Sequence, residues 1–318
     1  MKYILTFLTL FFLVFGKQDI SAAKKTKKKS AAHIPIASSL VVDASTGRIL
    51  HSEGAYKQIF PASLTKVMTA YLTFTALEDG KIKMTDHVTV SREAASMLPS
   101  KIGLKPGSKV MIKDALMAVI VKSANDMAVV LAEAIEGDHK RFVDKMNLYA
   151  SKLGMSNTNF TNASGWHHVD QKSTAIDMAK LAIAIRRDFP KYYPLFAKTE
   201  FRINGTLYKG HNRIAEFYPG ADGLKTGFHC PAGFNIISTA TKKGKSLIAV
   251  VTGGNTASAR DRKVIHLLDK HFGEKSNITY PKLAEKHVAI KNKLSLKKKE
   301  NTIASHRNVK KMKKKKKA

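Results

Sequence analysis

An α/β fold is predicted by three kinds of segment in the 318-residue chain: a β-hairpin pattern near the start, a helix-rich middle, and strand-like runs closed by one helix. With strands at both ends of a helical stretch, the N- and C-terminal segments are expected to build one sheet. Residues 36–54 give the hairpin, because two β-rich runs flank the turn cluster Asp43-Ala44-Ser45-Thr46-Gly47. Residues 61–79 read as a helix: Pro61 suits a first turn, and Leu64, Val67, Met68, Tyr71, Leu72 and Thr75 recur at helical spacing. Residues 84–111 are mixed, broken by Pro99, Gly103, Pro106 and Gly107. Helical stretches follow at 113–121 and 125–136, divided at Ser123-Ala124, then at 138–153 and 174–187. Residues 198–210, 233–240 and 246–253 alternate or run apolar like strands, and 257–271 is the closing helix. There is no internal repeat.

Composition bounds the function. A hydrophobic fraction of 44% and a charged fraction of 25% are ordinary globular usage, which excludes wholesale disorder. The single cysteine excludes an intramolecular disulfide framework and any multi-cysteine metal site. The net charge of +31 is concentrated at the ends: 24–29 hold five lysines, and 282–318 carry a net +13. These flanks have too few large apolar residues to offset their ordering entropy and are read as disordered. Basic flanks raise nucleic acid as a partner, but the N-terminus points elsewhere. Tyr3 to Phe15 is apolar except for Thr6 and Thr9, too short for a membrane span of about 20 residues. It fits a secretory signal, with Ser21-Ala22-Ala23 offering small residues before a cleavage site after Ala23. An exported basic tail is expected to meet an anionic wall or membrane surface, and no nucleic acid is expected.

Three short motifs carry the chemistry: Ser63-Leu64-Thr65-Lys66, Ser123-Ala124-Asn125 and Lys225-Thr226-Gly227. Ser63 and Lys66 are three apart on a helix, hence neighbours. A serine hydroxyl needs an adjacent base, and a lysine serves if desolvation or nearby positive charge keeps its amine neutral. Lys225 is a candidate for that charge. Ser63 near a helix N-terminus has free N–H groups beside developing negative charge. Ser123 is a candidate proton relay, and Asn125 is placed to hold Lys66 and a substrate amide. A Lys225–Gly227 strand can pair with an extended peptide, with Lys225 and Thr226 on its terminal carboxylate and Gly227 leaving room for close approach. The first motif alone is weak, since Ser-x-x-Lys recurs at Ser21–Lys24 and Ser295–Lys298. The ordered trio is the signature of penicillin-recognising serine enzymes.

On these motifs the chain resembles serine-type D-alanyl-D-alanine carboxypeptidases, the low-molecular-mass penicillin-binding proteins. The likeness runs from about Ile36 to about Phe272 and includes FPASLTKVMTAYL, VKSANDMAVVLAE, SGWHHVDQKSTAIDMAKLA and GADGLKTGFHCPAGFNIISTA. The resemblance implies a penicillin-binding/β-lactamase-like fold, an antiparallel sheet flanked by helices with a helical lobe. It implies an acyl-enzyme on Ser63, Lys66 as general base, release of terminal D-Ala from peptidoglycan stem peptides, and β-lactams as inhibitors. It puts the oxyanion in the N–H groups of Ser63 and Phe228, and an arginine near the substrate carboxylate, for which Arg260 is the candidate and Arg213 a weaker one. No cofactor and no metal is implied. The expected organisation is a signal peptide at 1–23, a basic linker at 24–33, a serine acyl-transferase domain at 34–275 and a lysine-rich tail at 276–318. Three departures stand out: a lysine-rich end where many members have a β-rich domain and an amphipathic helix, Ser-Ala-Asn where Ser-Gly-Asn is common, and Cys230 close behind Gly227. Cys230 reads as an ordinary small residue of a strand or turn.

Other readings fit less well. A class A β-lactamase uses Ser-Asp-Asn and a glutamate that activates water; here the middle motif is Ser-Ala-Asn, and Glu133 and Glu136 are misplaced for the role. A D,D-endopeptidase acting on cross-links would use the same residues on a larger substrate. A purely cationic binding protein lacks interleaved aromatics. Metal catalysis is disfavoured: His167-His168 would point to opposite faces of a strand, and His51-Ser52-Glu53 has no Pro-Cys-x-x-Cys partner.

Overall fold

Residues 37–276 and 278 are described by the computed structural model. The expected signal peptide, the basic linker and nearly all of the lysine-rich tail lie outside them. The described residues belong to a unit spanning 34–318. The first hairpin forms as expected, from β1 (Ser38–Asp43) and β2 (Ile49–Glu53). Its turn is closed by Asp43, whose carboxylate accepts from Ser45 N (3.0 Å), Thr46 N (2.9 Å) and Thr46 Oγ1 (3.0 Å). This is the local bonding that makes Asp a turn former; the Thr46 N–H is the largest cause of a carboxyl held below its ordinary value.

The C-terminal strands β7 (Ala221–His229), β8 (Gly233–Lys242) and β9 (Lys245–Gly254) join that hairpin in one antiparallel sheet, ordered β2-β1-β9-β8-β7. The first hairpin and the three C-terminal strands therefore meet in mid-sheet at β1 and β9. Both faces of the sheet are covered. Val41, Ile236, Leu247, Ala249 and Val251 pack on Val264, Ile265, Leu267 and Leu268 of the closing helix. Leu40, Val42, Ile237, Ile248 and Val250 face the helical lobe. Alternate residues thus serve opposite faces, and because both faces are buried the strands read as apolar runs.

The lobe contains α1 (Lys66–Glu78), α2 (Arg92–Ser96), α3 (Ile112–Met117), α4 (Asn125–Glu136), α5 (His139–Lys152) and α6 (Ala175–Asp188). Serine, aspartate and threonine caps start three of them: Ser91 accepts from Ala94 N, Asp138 from Arg141 N and Thr174 from Asp177 N. A short helix α7 (Arg213–Phe217) precedes β7, and α8 (Ala257–Phe272), capped by Thr256, closes the fold.

Four details differ from expectation. The mixed region 84–111 contains a small sheet, β3 (His87–Thr89) with β4 (Lys109–Met111), besides α2. The stretch 113–121 is α-helical only to Met117 and then widens into a π-turn over Ala118–Lys122. Residues 198–210 are a hairpin rather than one strand, β5 (Glu200–Ile203) and β6 (Thr206–Lys209). Its turn is Asn204-Gly205, with φ of 48° and 77°, the pair that a tight two-residue hairpin needs. The expected helix at 61–79 begins with a 3-10 turn, Ala62–Thr65, which puts Ser63 just ahead of the α-helix. Among the described residues, no helix is long and apolar enough to cross a membrane.

Candidate active site

The three motifs converge on one cleft of about 720 Å³, lined by Ser63, Ser123, Asn125, Thr226, Gly227, Phe228 and Arg260. Ser63 stands on a forced turn. Ala62, immediately before it, has φ of 49°, a left-handed conformation that a non-glycine residue adopts at a cost of about 1–3 kcal/mol. Three neighbours hold that turn. Gly165 lies so close to the Ala62 carbonyl that no side chain fits there. Asn235 Nδ2 donates to Phe60 O at 2.9 Å, while Asn235 Oδ1 accepts from Gly253 N at 2.8 Å. From β7, a Cβ added to Gly227 would meet Pro61 O at 3.0 Å, Ser63 N at 3.1 Å and Leu64 N at 3.2 Å. Glycine at that position lets the strand lie against the serine's own backbone.

Lys66 is 1% exposed. Its Nζ lies 2.6 Å from Asn125 Oδ1, 2.5 Å from Ser164 O and 3.1 Å from Ser63 Oγ. The first two neighbours can only accept. Asn125 is fixed in that orientation because its Nδ2 donates to Leu98 O at 2.9 Å. A neutral amine has two N–H bonds and one lone pair, so two acceptors and one hydroxyl match it fully. Burial, then the charge of Lys225, push Lys66 well below the ordinary lysine value, against the opposing charge of Asp126. The geometry thus offers the Ser63 hydroxyl a proton acceptor.

Ser123 ends the π-turn at φ of 63° and is 6% exposed, and α4 starts two residues later. Asp126, on the first turn of α4, receives Ile102 N (3.0 Å) and Gly103 N (2.8 Å) and so ties the 98–103 loop beside Asn125. On the other side, Thr69 Oγ1 donates to Ala163 O (2.6 Å) and Gln171 Nε2 to Thr65 Oγ1 (2.8 Å), pinning the loop that carries Ser164 and Gly165 onto α1 and the turn before it.

The strand wall is β7, an edge of the five-stranded sheet. Lys225 is 3% exposed, and its Nζ donates to Thr226 O at 2.9 Å. Burial, with the Arg260 guanidinium adding to it, brings Lys225 down to about 7. Arg260 is buried on α8. Its Nε and Nη2 reach Asp261 Oδ1 at 2.9 and 2.7 Å, and Nη1 donates to Asn235 O at 3.2 Å. Arg213 closes the same cluster through Asp261 Oδ2 at 2.7 Å. Phe228 stacks on Phe234 at 4.2 Å and stays half exposed at the cleft, as does Trp166 on the opposite loop.

All nine expected site residues therefore gather at this cleft or directly behind it. The reading from sequence missed Asn235, Asp261, Ser164 and Asp126. The first and last had a signal: Asn235 is a polar residue inside an apolar strand run, and Asp126 follows Asn125 directly. Glu133 and Glu136 are engaged elsewhere, with Ser91 Oγ at 2.7 Å and with Lys81 and Lys145 at 3.2 and 2.7 Å. Cys230 is exposed in the β7–β8 turn. His167 lies in a loop, its ring packed on Phe60 and His229 at 5.0 Å each.

Residues 24–256 match the family model described as D-alanyl-D-alanine carboxypeptidase. The chain is 37% identical over 268 residues to the D-alanyl-D-alanine carboxypeptidase DacF of Bacillus subtilis, with 82% of this chain and 66% of the relative covered. Its fold is similar to penicillin binding protein 5 from Haemophilus influenzae, with a TM-score of 0.73 and 35% identity, covering 77% of this chain and 72% of the other. It is also similar to Penicillin-Binding Protein D2 from Listeria monocytogenes in an ampicillin-bound form, with a TM-score of 0.68 and 30% identity, covering 74% and 97%. The chain thus spans just under two thirds of the length of the Bacillus relative.

Proposed function

The chain belongs to the D-alanyl-D-alanine carboxypeptidase family, and on that premise we propose that it removes the terminal D-Ala from peptidoglycan stem peptides through an ester on Ser63. The arrangement of Lys66 carries this reading: a buried amine, two obligate acceptors and one hydroxyl. Ser63 Oγ attacks the carbonyl carbon of the D-Ala–D-Ala bond as Lys66 Nζ takes the hydroxyl proton. The developing oxyanion is held by the N–H groups of Ser63 and Phe228. Lys66, relayed by Ser123, returns the proton to the departing D-Ala amine, and water activated by Lys66 then cleaves the ester. The substrate lies antiparallel to the free edge of β7, and its carboxylate meets Lys225, Thr226 and Arg260. Peptide binding on an exposed edge strand supplies main-chain hydrogen bonds without demanding particular side chains. A β-lactam acylates the same serine.

Export follows from the same reading. Residues 1–23 act as a secretory signal, 24–33 as a basic linker, 34–275 as the acyl-transfer domain, and the lysine-rich 276–318 as a contact for anionic envelope material. The test of the function is D-Ala release from a pentapeptide ending in D-Ala–D-Ala, set beside the same peptide with its carboxylate amidated and beside a cross-linked peptide dimer. Preference for the free pentapeptide supports the reading. Faster cleavage of the dimer would make the enzyme an endopeptidase instead.

A further inference from the structure

Away from the cleft, at the β2 edge of the sheet, histidines and lysines from three elements share one face. His51 of β2 and His271 of α8 have ring centroids 6.2 Å apart. On α8, Lys263, His266 and Lys270 are spaced by three and four residues, which lines them along one side of the helix over about 10 Å. Lys245 of β9 anchors its Nζ on His271 O at 2.7 Å. The nearby carboxylates are engaged: Glu53 with Lys263 at 3.0 Å, Glu274 with Lys243 at 2.6 Å, and Asp269 with Tyr218 Oη at 2.8 Å and Ser276 Oγ at 2.7 Å. His266 and Lys270 have no carboxylate partner among the described residues. The buried Nε2 of His271 makes no hydrogen bond there either. A shallow cavity of about 350 Å³ is lined by His266, Lys270 and Lys275 together with the engaged Asp269 and Glu274.

We infer that this face binds an extended anionic polymer bearing phosphodiester groups, separately from the peptide cleft. The cations run in a line instead of converging on one point, which suits a chain of anions better than a single ion. Ile49 is the one exposed large apolar side chain on this edge among the described residues, too little for insertion into lipid. Arg260 lies near the start of the same helix α8 and lines the cleft, so a polymer held at the far end leaves the cleft open. His51 and His271 give the contact its pH dependence. His51 faces Ser39 Oγ of β1 at 2.8 Å, Glu53 of its own strand, and Lys263, Lys270 and His266 of α8. His271 faces His51 and Lys245 across the sheet, and Lys270 and His266 on its own helix. Burial first, and these cations second, hold both rings below the ordinary imidazole value, although Glu53 opposes this at His51. A bound polyanion offsets the repulsion and draws protons onto them. Phosphodiesters stay ionised throughout, so binding strengthens as pH falls.

The experiment measures full-length protein binding to linear poly(glycerol phosphate) at pH 7.5 and 5.5, beside the variant His51→Asn/His266→Asn/His271→Asn. The lysines of this face, and the other histidines, His287 and His306 among them, are common to both proteins, so the difference between the two reports the three substituted rings. The wild type should bind on the order of tenfold more tightly at the lower pH, and the variant less than about twofold. Lys270→Ala, at an exposed position, should weaken binding at both pH values and leave D-Ala release unchanged. Equal pH dependence in wild type and triple variant overturns the inference. So does tighter binding, at equal charge, of poly-glutamate or of phosphatidylglycerol vesicles. Because D-Ala release is read in the same samples, loss of this site and loss of the proposed activity are told apart.

Discussion

The two walls of the cleft are held by different means. The wall carrying Ser63, Lys66, Ser123 and Asn125 has left-handed backbone at Ala62 and Ser123, and side chains that bond to distant carbonyls. The wall carrying Lys225, Thr226 and Gly227 is a regular ladder, with Lys225 opposite Ile237 and Gly227 opposite Asn235. In the proposed reaction, the reacting atoms are held by side-chain bonds and strained backbone, and the peptide is recognised by strand geometry. Damage to the first wall should therefore appear in the chemical step, and damage to the second in substrate recognition.

The largest effect expected from this contrast is at Lys66. Lys66→Ala should slow acylation by on the order of 10²–10⁴-fold, measured by stopped-flow with a chromogenic penicillin. An acylation rate near wild type would remove Lys66 from the role of base. Next is Asn125→Ala, which strips Lys66 of one acceptor and leaves the Leu98 carbonyl without its donor. It should cost about 1–3 kcal/mol in urea unfolding as well as slowing acylation, because a buried group loses its partner. A loss of kcat with unchanged stability would mean that water replaces the amide.

Gly227→Ala links the two walls, since the new methyl would press on backbone atoms at 3.0–3.2 Å that have little room to yield. Strain of about 1–3 kcal/mol is expected, with slower acylation. Wild-type behaviour would show that β7 is not fixed by the serine's turn.

The fourth effect is a pH profile. Lys225, lowered to about 7, is cationic below that pH and neutral above it. Carboxylate recognition by the free enzyme should therefore weaken as pH rises past about 7, lowering kcat/KM. In the proposed mechanism Lys66 sets the opposite limb, because protonation at low pH would remove the base. Lys225→Arg keeps its charge and should shift the alkaline limb upward while the acid limb stays within the ordinary scatter. An alkaline limb that does not move would assign it to another group.

The contrast between the walls also explains what was legible in the sequence. The first hairpin, β8, β9 and the helical lobe follow from periodicity and turn residues, as with Asp43 before Gly47, whereas β7 is marked in the sequence only by its Lys225–Gly227 motif. The trio of motifs named residues that the fold brings to one cleft. Left-handed backbone at Ala62 is not legible, because the room for its carbonyl is left by Gly165, about a hundred residues away in sequence. The π-turn at Ala118–Lys122 was read as helix because five residues cannot separate one helical period from another. Asn235 and Asp261 act by bridging elements far apart in sequence, and spacing within one element does not reveal that.

The most direct test of the central claim is covalent labelling by a fluorescent penicillin, comparing wild type with Ser63→Ala and locating the adduct by peptide mass analysis. The account predicts one adduct per wild-type chain, on Ser63, and none on the variant. An adduct on another residue, or equal labelling of the variant, would contradict it.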